Sequence, residues 1–275
     1  MSKFLNFIIF FFSIVLIVLS ISSKAQSNDY ITIASTTSTR DSGLFGAILP
    51  IFTKSSGIRV RVIAAGTGQA IKIAENGDAD VLFVHHKESE QSFINAGFGV
   101  KRYDVMYNDF VVIGPNEDPA EISGFNDVVK AFIKIAKTRS VFLSRGDDSG
   151  TYKKEQSLWL AGGIDASKYL GSWYRKTGSG MGATLNIANA MNGYSLADRG
   201  TWLAFKNKKQ LKVLVEGDPR LHNSYGAILV NPKRHPHVKS EAGQKLINWL
   251  ISKEGQNSIK AFEINGKKLF KSYLN

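Results

Sequence analysis

Hydrophobic and polar positions follow two rhythms along this chain, and stretches of the two kinds take turns. Short runs that alternate apolar and polar residues, or that are apolar throughout, predict strands. These runs lie at residues 30–34, 58–64, 79–84, 109–113, 140–144, 211–215 and 225–230. Between them, apolar residues recur every three or four positions and predict helices around residues 44–52, 70–74, 87–97, 126–137, 152–160, 182–191, 241–252 and 256–262. Strands that take turns with helices predict an α/β fold built on mainly parallel sheets flanked by helices.

Two of the predicted helices carry apolar residues that indicate which face meets the core. The first is expected to place Leu44, Ile48, Ile51 and Phe52 on one side, with Pro50 as a kink or an early stop. The second follows residue 151 and is expected to bury Leu158, Trp159 and Leu160.

Loops rich in Ser, Thr and Gly follow three of the predicted strands, at residues 35–39, 65–68 and 145–151. In open α/β sheets, ligands bind at the carboxyl ends of the strands. We therefore expect the three loops to meet and to form the binding site.

The third of these loops has the composition of an anion receptor. Arg145 stands at a strand end, and Ser149, Gly150 and Thr151 stand where a helix begins. The first turn of a helix has unpaired N–H groups and partial positive charge, and an arginine offers a planar fork of donors. The same residues would also suit a helix capped by Ser149 beside a solvated Arg145 paired with a nearby Asp. From this stretch alone the two interpretations are equally good.

A dense turn at residues 114–119 predicts the point at which the chain crosses into a second lobe. The strand at 225–230 is expected to carry it back. These crossings predict lobe 1 at residues 26–112 plus 228–275 and lobe 2 at 113–227. A cleft between two lobes is a usual place for a small ligand.

Residues 1–25 have the pattern of a secretory signal peptide. A short basic start precedes an almost wholly apolar run, and small residues precede a predicted cleavage site between Ala25 and Gln26. The alternative is a retained membrane anchor, because the apolar run is nearly long enough to span a bilayer. The chain has no cysteine, which excludes disulfides and a lipid anchor on cysteine. We expect a periplasmic or secreted protein.

The net charge narrows the classes of ligand. It is formally +12, and it falls to +10 if Lys3 and Lys24 leave with the signal peptide. Such a charge suits nucleic acid, an anionic membrane surface or small anions. The basic residues are scattered, with no basic stripe interleaved with aromatic residues, and export disfavours nucleic acid. Small anions are therefore the favoured partner.

Five motifs occur in order along the chain. They are Ala34-Ser35-Thr36-Thr37-Ser38-Thr39, Gly66-Thr67-Gly68, Gly77-Asp78-Ala79-Asp80-Val81, Arg145-Gly146-Asp147-Asp148-Ser149-Gly150-Thr151 and Gly180-Met181-Gly182-Ala183-Thr184-Leu185. With this set, the chain resembles the tungstate-binding proteins of Tup-type ABC importers, within the periplasmic substrate-binding superfamily. The resemblance covers most of the chain after the signal peptide, with mild departures at Ser35, Tyr152 and Ser179.

The resemblance implies a two-lobed, type II periplasmic-binding-protein fold with the ligand in the cleft between the lobes. It also implies capture of tungstate, or of the similar molybdate, and delivery to an ABC permease. The site that it implies consists of Thr36, Thr37, Ser38, Thr67, Arg145, Ser149, Gly150 and Thr151. We expect a monomer with no cofactor, no nucleic-acid partner and no residue that ligates a metal cation directly.

The nearest alternative is the related phosphate-binding family of ABC importers, which shares the Arg-Gly-Asp-x-Ser-Gly-Thr loop. Hydrogen phosphate keeps a proton near neutral pH and needs an acceptor, usually a carboxylate, whereas tungstate needs only donors. Where phosphate binders place Asp after the third strand, this chain has His85. A neutral histidine still accepts one hydrogen bond, so the argument favours tungstate without excluding phosphate. His85 is equally well explained as a strand-end histidine that is bonded for structure.

Two other classes are weaker. An enzyme is disfavoured because the chain has no Gly-x-Ser-x-Gly motif and no metal-type His spacing on a helix. His235-Pro236-His237 could bind a metal, but the proline makes an exposed turn the better interpretation, and Asp80 is best explained as a carboxylate bonded to the backbone. A membrane-tethered oxyanion sensor would keep its hydrophobic N-terminus.

Overall fold

Strands and helices take turns through residues 30–273, the part of the chain that this computed structural model describes. The strands are β1 (Tyr30–Thr36), β2 (Arg59–Ala65), β3 (Val81–Val84), β4 (Gly99–Pro115), β5 (Phe142–Ser144), β6 (Tyr174–Lys176), β7 (Ser195–Asp198), β8 (Leu211–Val215), β9 (His222–Val230), β10 (Glu263–Ile264), β11 (Lys267–Lys268) and β12 (Lys271–Ser272). The helices are α1 (Thr37–Asp41), α2 (Leu44–Ser56), α3 (Thr67–Glu75), α4 (Lys87–Asn95), α5 (Val128–Thr138), α6 (Gly150–Ala161), α7 (Met181–Ala190), α8 (Arg199–Ala204), α9 (Ser240–Leu250) and α10 (Lys253–Ala261). Single turns of 3₁₀ helix lie at Ala166–Tyr169 and Pro219–Leu221.

The main sheet has the order β12-β4-β9-β3-β1-β2, and β7 and β8 also pair with β4. Strands β1 and β3 are parallel, as are β5 and β6, but β9 runs antiparallel to both of its neighbours, β3 and β4. The α/β class is therefore confirmed, and the expectation of mainly parallel sheets is corrected to mixed sheets. The reason is that the chain leaves along β4 and returns along the adjacent β9, and two such strands must run in opposite directions.

Strand β4 takes part in two sets of pairings. Up to Asp109 its residues pair with β9, and Asp109 lies opposite His222. From Phe110 onward they pair with β7 and β8 instead. The chain thus passes from one group of strands to the other within a single strand.

Buried side chains form separate clusters on the two parts of the fold. One cluster is centred on Phe83, Tyr225 and Trp249, and another on Phe132, Phe142 and Trp159. The chain is long enough for both, and each covers a face of its own strands. Each group of strands therefore has a packed core of its own.

Two residues expected in the core are exposed, and one of the two alternatives for Pro50, an early stop, is excluded. Pro50 does not end α2, which continues to Ser56, because a proline on the exposed side removes only one backbone hydrogen bond. Ile51 is 40% exposed and Leu160 is 79% exposed. Each lies next to a residue that faces the core, Phe52 or Trp159, and the 100° step between neighbours in a helix turns it towards solvent.

The described residues contain no helix long and apolar enough to span a membrane. The predicted signal peptide and its cleavage site at Ala25-Gln26 lie outside the described residues.

Candidate functional site

The first predicted loop is partly helical. Residues 35–39, expected as a loop, are the end of β1 and the first three residues of α1. Thr36 caps α1, and its Oγ1 accepts from the backbone N–H of Thr39 at 3.3 Å and lies 2.8 Å from Oγ1 of Thr39. Thr36 and Ser38 are buried, whereas Thr37 is half-buried. Hydroxyls of this run therefore lie at the end of β1, as the sequence predicts, but the hydroxyl of Thr36 is already hydrogen-bonded to Thr39.

The second and third loops are in direct contact. Thr67, the first residue of α3, is fully buried, and its Oγ1 accepts the backbone N–H of Gly150 at 2.8 Å. The backbone N–H of Gly68 donates to the carbonyl oxygen of Asp148 at 3.4 Å. A methyl group added at Gly150 would lie 3.2 Å from Oγ1 of Thr67 and 3.2 Å from Cε1 of His85. A side chain at this position would therefore require His85 or Thr67 to shift by a few tenths of an ångström.

Arg145 is buried and paired, a combination that neither sequence interpretation described alone. Its side chain is 3% exposed. Nε donates to Oδ2 of Asp147 at 3.1 Å, and Nη2 donates to the same oxygen. Nη1 points towards Oγ of Ser38, 3.5 Å away. The guanidinium therefore joins the third loop to the first.

The start of α6 has one hydroxyl that is used and one that is free. Ser149 caps the helix, because its Oγ accepts the backbone N–H of Tyr152 at 3.1 Å. Thr151 is 1% exposed, and its Oγ1 has no hydrogen-bond partner among the described residues. A buried polar atom without a partner is costly, so Thr151 indicates a place where a ligand can bind.

His85 closes the same region from the end of β3. It is 5% exposed and stacks on Tyr225 with ring centroids 4.7 Å apart. Nδ1 lies 2.9 Å from Oδ1 of Asn223, while Nε2 has no partner within residues 30–273. Burial lowers the pKa of His85 below its usual value, and nearby Asp198 opposes that shift. The imidazole is therefore neutral at neutral pH.

Sequence reasoning missed the two asparagines behind His85. Nδ2 of Asn223, on β9, donates to Oδ1 of Asn108, on β4, at 2.7 Å. These residues are far apart in the chain and lie in strands with no motif around them, so no sequence pattern indicates their role. They are placed at the site because β4 and β9 are neighbours.

Other polar candidates have structural partners. Asp80 accepts the backbone N–H groups of Thr32 and Lys239, both at 2.7 Å, as expected of a carboxylate bonded to the backbone. Nε2 of His235 and Nε2 of His237 lie 2.9 Å from the carbonyl oxygens of Glu75 and Gly77 respectively. No group of three or more potential metal-ligating side chains occurs in the described part of the chain.

A separate cavity of about 690 Å³ is lined by residues that include Tyr107, Arg199 and Lys271. None of the eight predicted site residues lines it. Its acids and its arginine are already paired, as Arg199 is with Asp109. The region around Thr67 and Arg145 has the convergent donors and the buried polar atoms without partners, and the size of a cavity alone is a weaker indication than its chemistry.

Residues 22–254 match the family described as the PBP superfamily domain. The tungstate-binding protein TupA of Peptoclostridium acidaminophilum is 45% identical over 86% of this chain and 82% of its own length. The TupA protein of Campylobacter jejuni is 40% identical over 85% of this chain and 87% of its own length. The solved structure of a tungstate-binding protein TupA from Desulfovibrio alaskensis superposes with a TM-score of 0.77 at 45% identity, covering 89% of this chain and 98% of that one. The resemblance read from the five motifs is thus confirmed: the chain belongs to the PBP superfamily and, within it, to the family of TupA tungstate-binding proteins.

Proposed function

We propose that this protein captures tungstate between its two groups of strands and delivers it to the permease of an ABC importer. The observation that carries the proposal is the meeting of three loops in one buried place. There, Thr67 contacts Gly150, Arg145 reaches Ser38, and the hydroxyl of Thr151 has no partner among the described residues. The family supports the same function, since two relatives that share at least 40% of their residues with this chain are named tungstate-binding proteins.

The contacts indicate how an oxyanion would be held. The backbone N–H of Gly150 at the start of α6 donates to Thr67, and that hydroxyl keeps its own hydrogen to donate elsewhere. An anion at this helix start would also meet the partial positive charge of α6. We propose that tungstate accepts hydrogen bonds from the hydroxyl of Thr67 and from Nη1 of Arg145. The site is proposed to consist of Thr36, Thr37, Ser38, Thr67, Arg145, Ser149, Gly150 and Thr151.

The two groups of strands are proposed to act as lobes that close on the ligand. We keep the predicted division into residues 26–112 plus 228–275 and residues 113–227. Contributions from both lobes support it: Thr67 and Ser38 belong to the first, and Gly150 and Arg145 belong to the second. Neither lobe alone could surround a tetrahedral anion.

Selectivity is proposed to follow from a site made of donors. Both oxygens of Asp147 already accept hydrogen bonds, Oδ2 from Arg145 and Oδ1 from the backbone N–H of Ser149, and its charge is paired with Arg145. Nε2 of neutral His85 could accept the O–H of a protonated oxyanion, but in any other orientation that O–H would face donors, at a cost of about 1–3 kcal/mol for an unsatisfied buried group. Sulfate carries no proton but is smaller than tungstate. We expect tungstate to bind first and molybdate close behind, with sulfate and phosphate far weaker.

The proposal is capture without chemistry, by a monomer without a cofactor. Export through the predicted signal peptide would place the protein in the periplasm or outside the cell. A retained N-terminus would favour a tethered sensor instead, and sequencing the N-terminus of the mature protein distinguishes the two, because capture by an exported protein predicts a start at Gln26.

The deciding experiment is a calorimetric titration of the protein lacking residues 1–25 with tungstate, molybdate, sulfate and phosphate in turn. The variant Arg145→Ala, checked by thermal unfolding, serves as the control for binding at this site. Tight tungstate binding that is lost in the variant supports the proposal. Displacement of tungstate by an equal concentration of phosphate would replace it with the phosphate-binding function.

A further inference from the structure

The hydrogen bonds behind His85 fix which of its ring nitrogens carries a proton. Nδ2 of Asn223 donates to Asn108, so Oδ1 of Asn223 faces Nδ1 of His85 and must accept from it. A neutral His85 therefore holds its hydrogen on Nδ1. Its Nε2 then has a lone pair and no hydrogen, and this atom is buried without a partner in the described residues.

One edge of the His85 ring lies beside the proposed oxyanion site. Cε1 and Nδ1 of His85 lie 3.2 and 3.4 Å from the point where a methyl group on Gly150 would be, and Oγ1 of Thr67 lies 3.2 Å from the same point. His85 and the unpartnered hydroxyl of Thr151 thus lie beside the first turn of α6. A lone pair here would repel an oxygen of tungstate, whereas an N–H would bind it.

The charges around the site also favour a protonated His85 when an oxyanion is bound. Arg145 is the buried cation of the site, but Asp147 already neutralises it through two hydrogen bonds. A tungstate dianion would thus enter a buried region in which the nearest ion pair has no net charge. Burying an uncompensated charge is unfavourable, so a second cation would strengthen binding.

We propose that His85 takes up a proton from solvent when the oxyanion binds and donates it as a hydrogen bond from Nε2. The proposal rests on the proposed function and adds a residue to its site. The balance is one proton and one dianion entering together, with the proton shared between Nε2 and a ligand oxygen. Oδ1 of Asn223 continues to accept from Nδ1, as it does for neutral His85.

The groups that face His85 set the direction of the effect. Arg145, from the loop after β5, and the neighbouring His86 disfavour the imidazolium, as does burial. Asp198, at the end of β7, favours it, while Asn223 and Tyr225 on β9 are uncharged. The pKa of His85 is thus lowered without ligand, and an adjacent dianion raises it. Between those two pKa values, binding takes up a proton, and affinity falls by up to about tenfold for each unit of rising pH.

The test uses the protein lacking residues 1–25 and molybdate or tungstate at pH values from neutral to mildly alkaline. Calorimetry is done in two buffers whose ionisation enthalpies differ strongly, neither of them an oxyanion that competes. The difference in observed enthalpy, divided by the difference in ionisation enthalpy, gives the protons taken up. We expect an uptake of up to about one proton, and weaker binding as pH rises.

Two variants assign the proton. His85→Gln keeps an amide that can donate but cannot gain a charge, so its affinity should be lower near neutral pH and independent of pH. His86→Asn is the matched control: His86 caps α4 through Nδ1, which accepts from Ser89, and asparagine is also a good cap. This control should keep both the uptake and the pH dependence. Nitrogen chemical shifts of the histidine rings, with and without ligand, should show one ring that becomes doubly protonated and is missing from His85→Gln.

The outcomes separate this inference from the function on which it rests. Absence of tungstate and molybdate binding would overturn the proposed function itself. Binding with equal enthalpies in both buffers, with flat pH dependence and unchanged ring shifts, would overturn the role of His85 alone. Proton uptake that survives in His85→Gln would assign the proton to another group and would also overturn it.

Discussion

The replacement Arg145→Lys tests the geometry of the site rather than its charge. Arg145 makes contacts in two directions, because Nε and Nη2 donate to Asp147 while Nη1 points to Ser38 across the region between the lobes. A lysine has one ammonium group on a flexible stem and no fork. It can pair with Asp147 or reach towards the ligand, but it cannot do both in the geometry of the guanidinium.

The expected loss can be estimated from this count. One charged hydrogen bond to the oxyanion is given up, which corresponds to about 1.5–3 kcal/mol, or an affinity about 10- to 150-fold lower. Arg145→Ala should lose more, because it also leaves Asp147 as an unpaired negative charge beside a dianion.

Isothermal titration with tungstate measures this loss, and thermal unfolding without ligand shows whether the fold is intact. Arg220→Lys is the control, since Arg220 likewise pairs with carboxylates, those of Asp218 and Asp127, but its side chain is 45% exposed on the surface. Its tungstate affinity should equal that of the wild type. Wild-type affinity in both variants of Arg145 would remove this residue from the site and refute the reasoning.

Three further predictions concern the approach of Gly150 to the site, the buried carboxyl of Glu155 and the closure of the lobes. Gly150→Ala would place its methyl group 3.2 Å from Cε1 of His85 and 3.2 Å from Oγ1 of Thr67. We expect this overpacking to weaken tungstate binding by about 1–3 kcal/mol in a titration, while the stability of the unliganded protein changes less. Unchanged affinity would contradict the close approach. Burial raises the pKa of Glu155 to about 7, so the folded state favours the protonated carboxyl and loses stability as pH rises between about 4.5 and 7. Denaturant unfolding should therefore find Glu155→Gln more stable than the wild type at pH 8 but not at pH 4, and an equal difference at both pH values would be the contrary result. Tungstate at 1,000 times its Kd should stabilise the folded protein by about 4 kcal/mol and so raise its melting temperature. Tungstate should also reduce the radius of gyration, and identical X-ray scattering curves with and without it would argue against closure of the lobes.

The sequence predicts the alternation of elements well because each element has its own periodicity. The prediction fails where part of an element lacks that periodicity. Strand β4 begins at Gly99, but the pattern of the sequence predicts only its part at residues 109–113, where four apolar residues are consecutive. Residues 100–104 include exposed or half-buried polar side chains on an outer part of the strand, so they lack a strand signal. The antiparallel pairing with β9 is a property of the assembled sheet, and no local pattern encodes it.

The candidate site shows the same division. Thr67, Arg145 and Gly150 lie in motifs, so their types and spacing point to an anion. The sequence could not show whether Arg145 is buried or exposed to solvent when it pairs with an aspartate, because both arrangements use the same residues. Asn108 and Asn223 could not be identified at all, since their role depends on the adjacency of β4 and β9.

The position of β9 has a consequence for how the protein is made. This strand lies between β4 and β3 in the finished sheet, yet it begins only at His222. Until that segment is available, β3 and β4 have nothing to join them, and the pairings that β9 forms with β3 close a long stretch of chain. Contacts of such long range make folding slow. A nascent chain without its central strand has no finished sheet, and if the predicted signal peptide directs export, the chain could be threaded through a narrow translocation pore in that state.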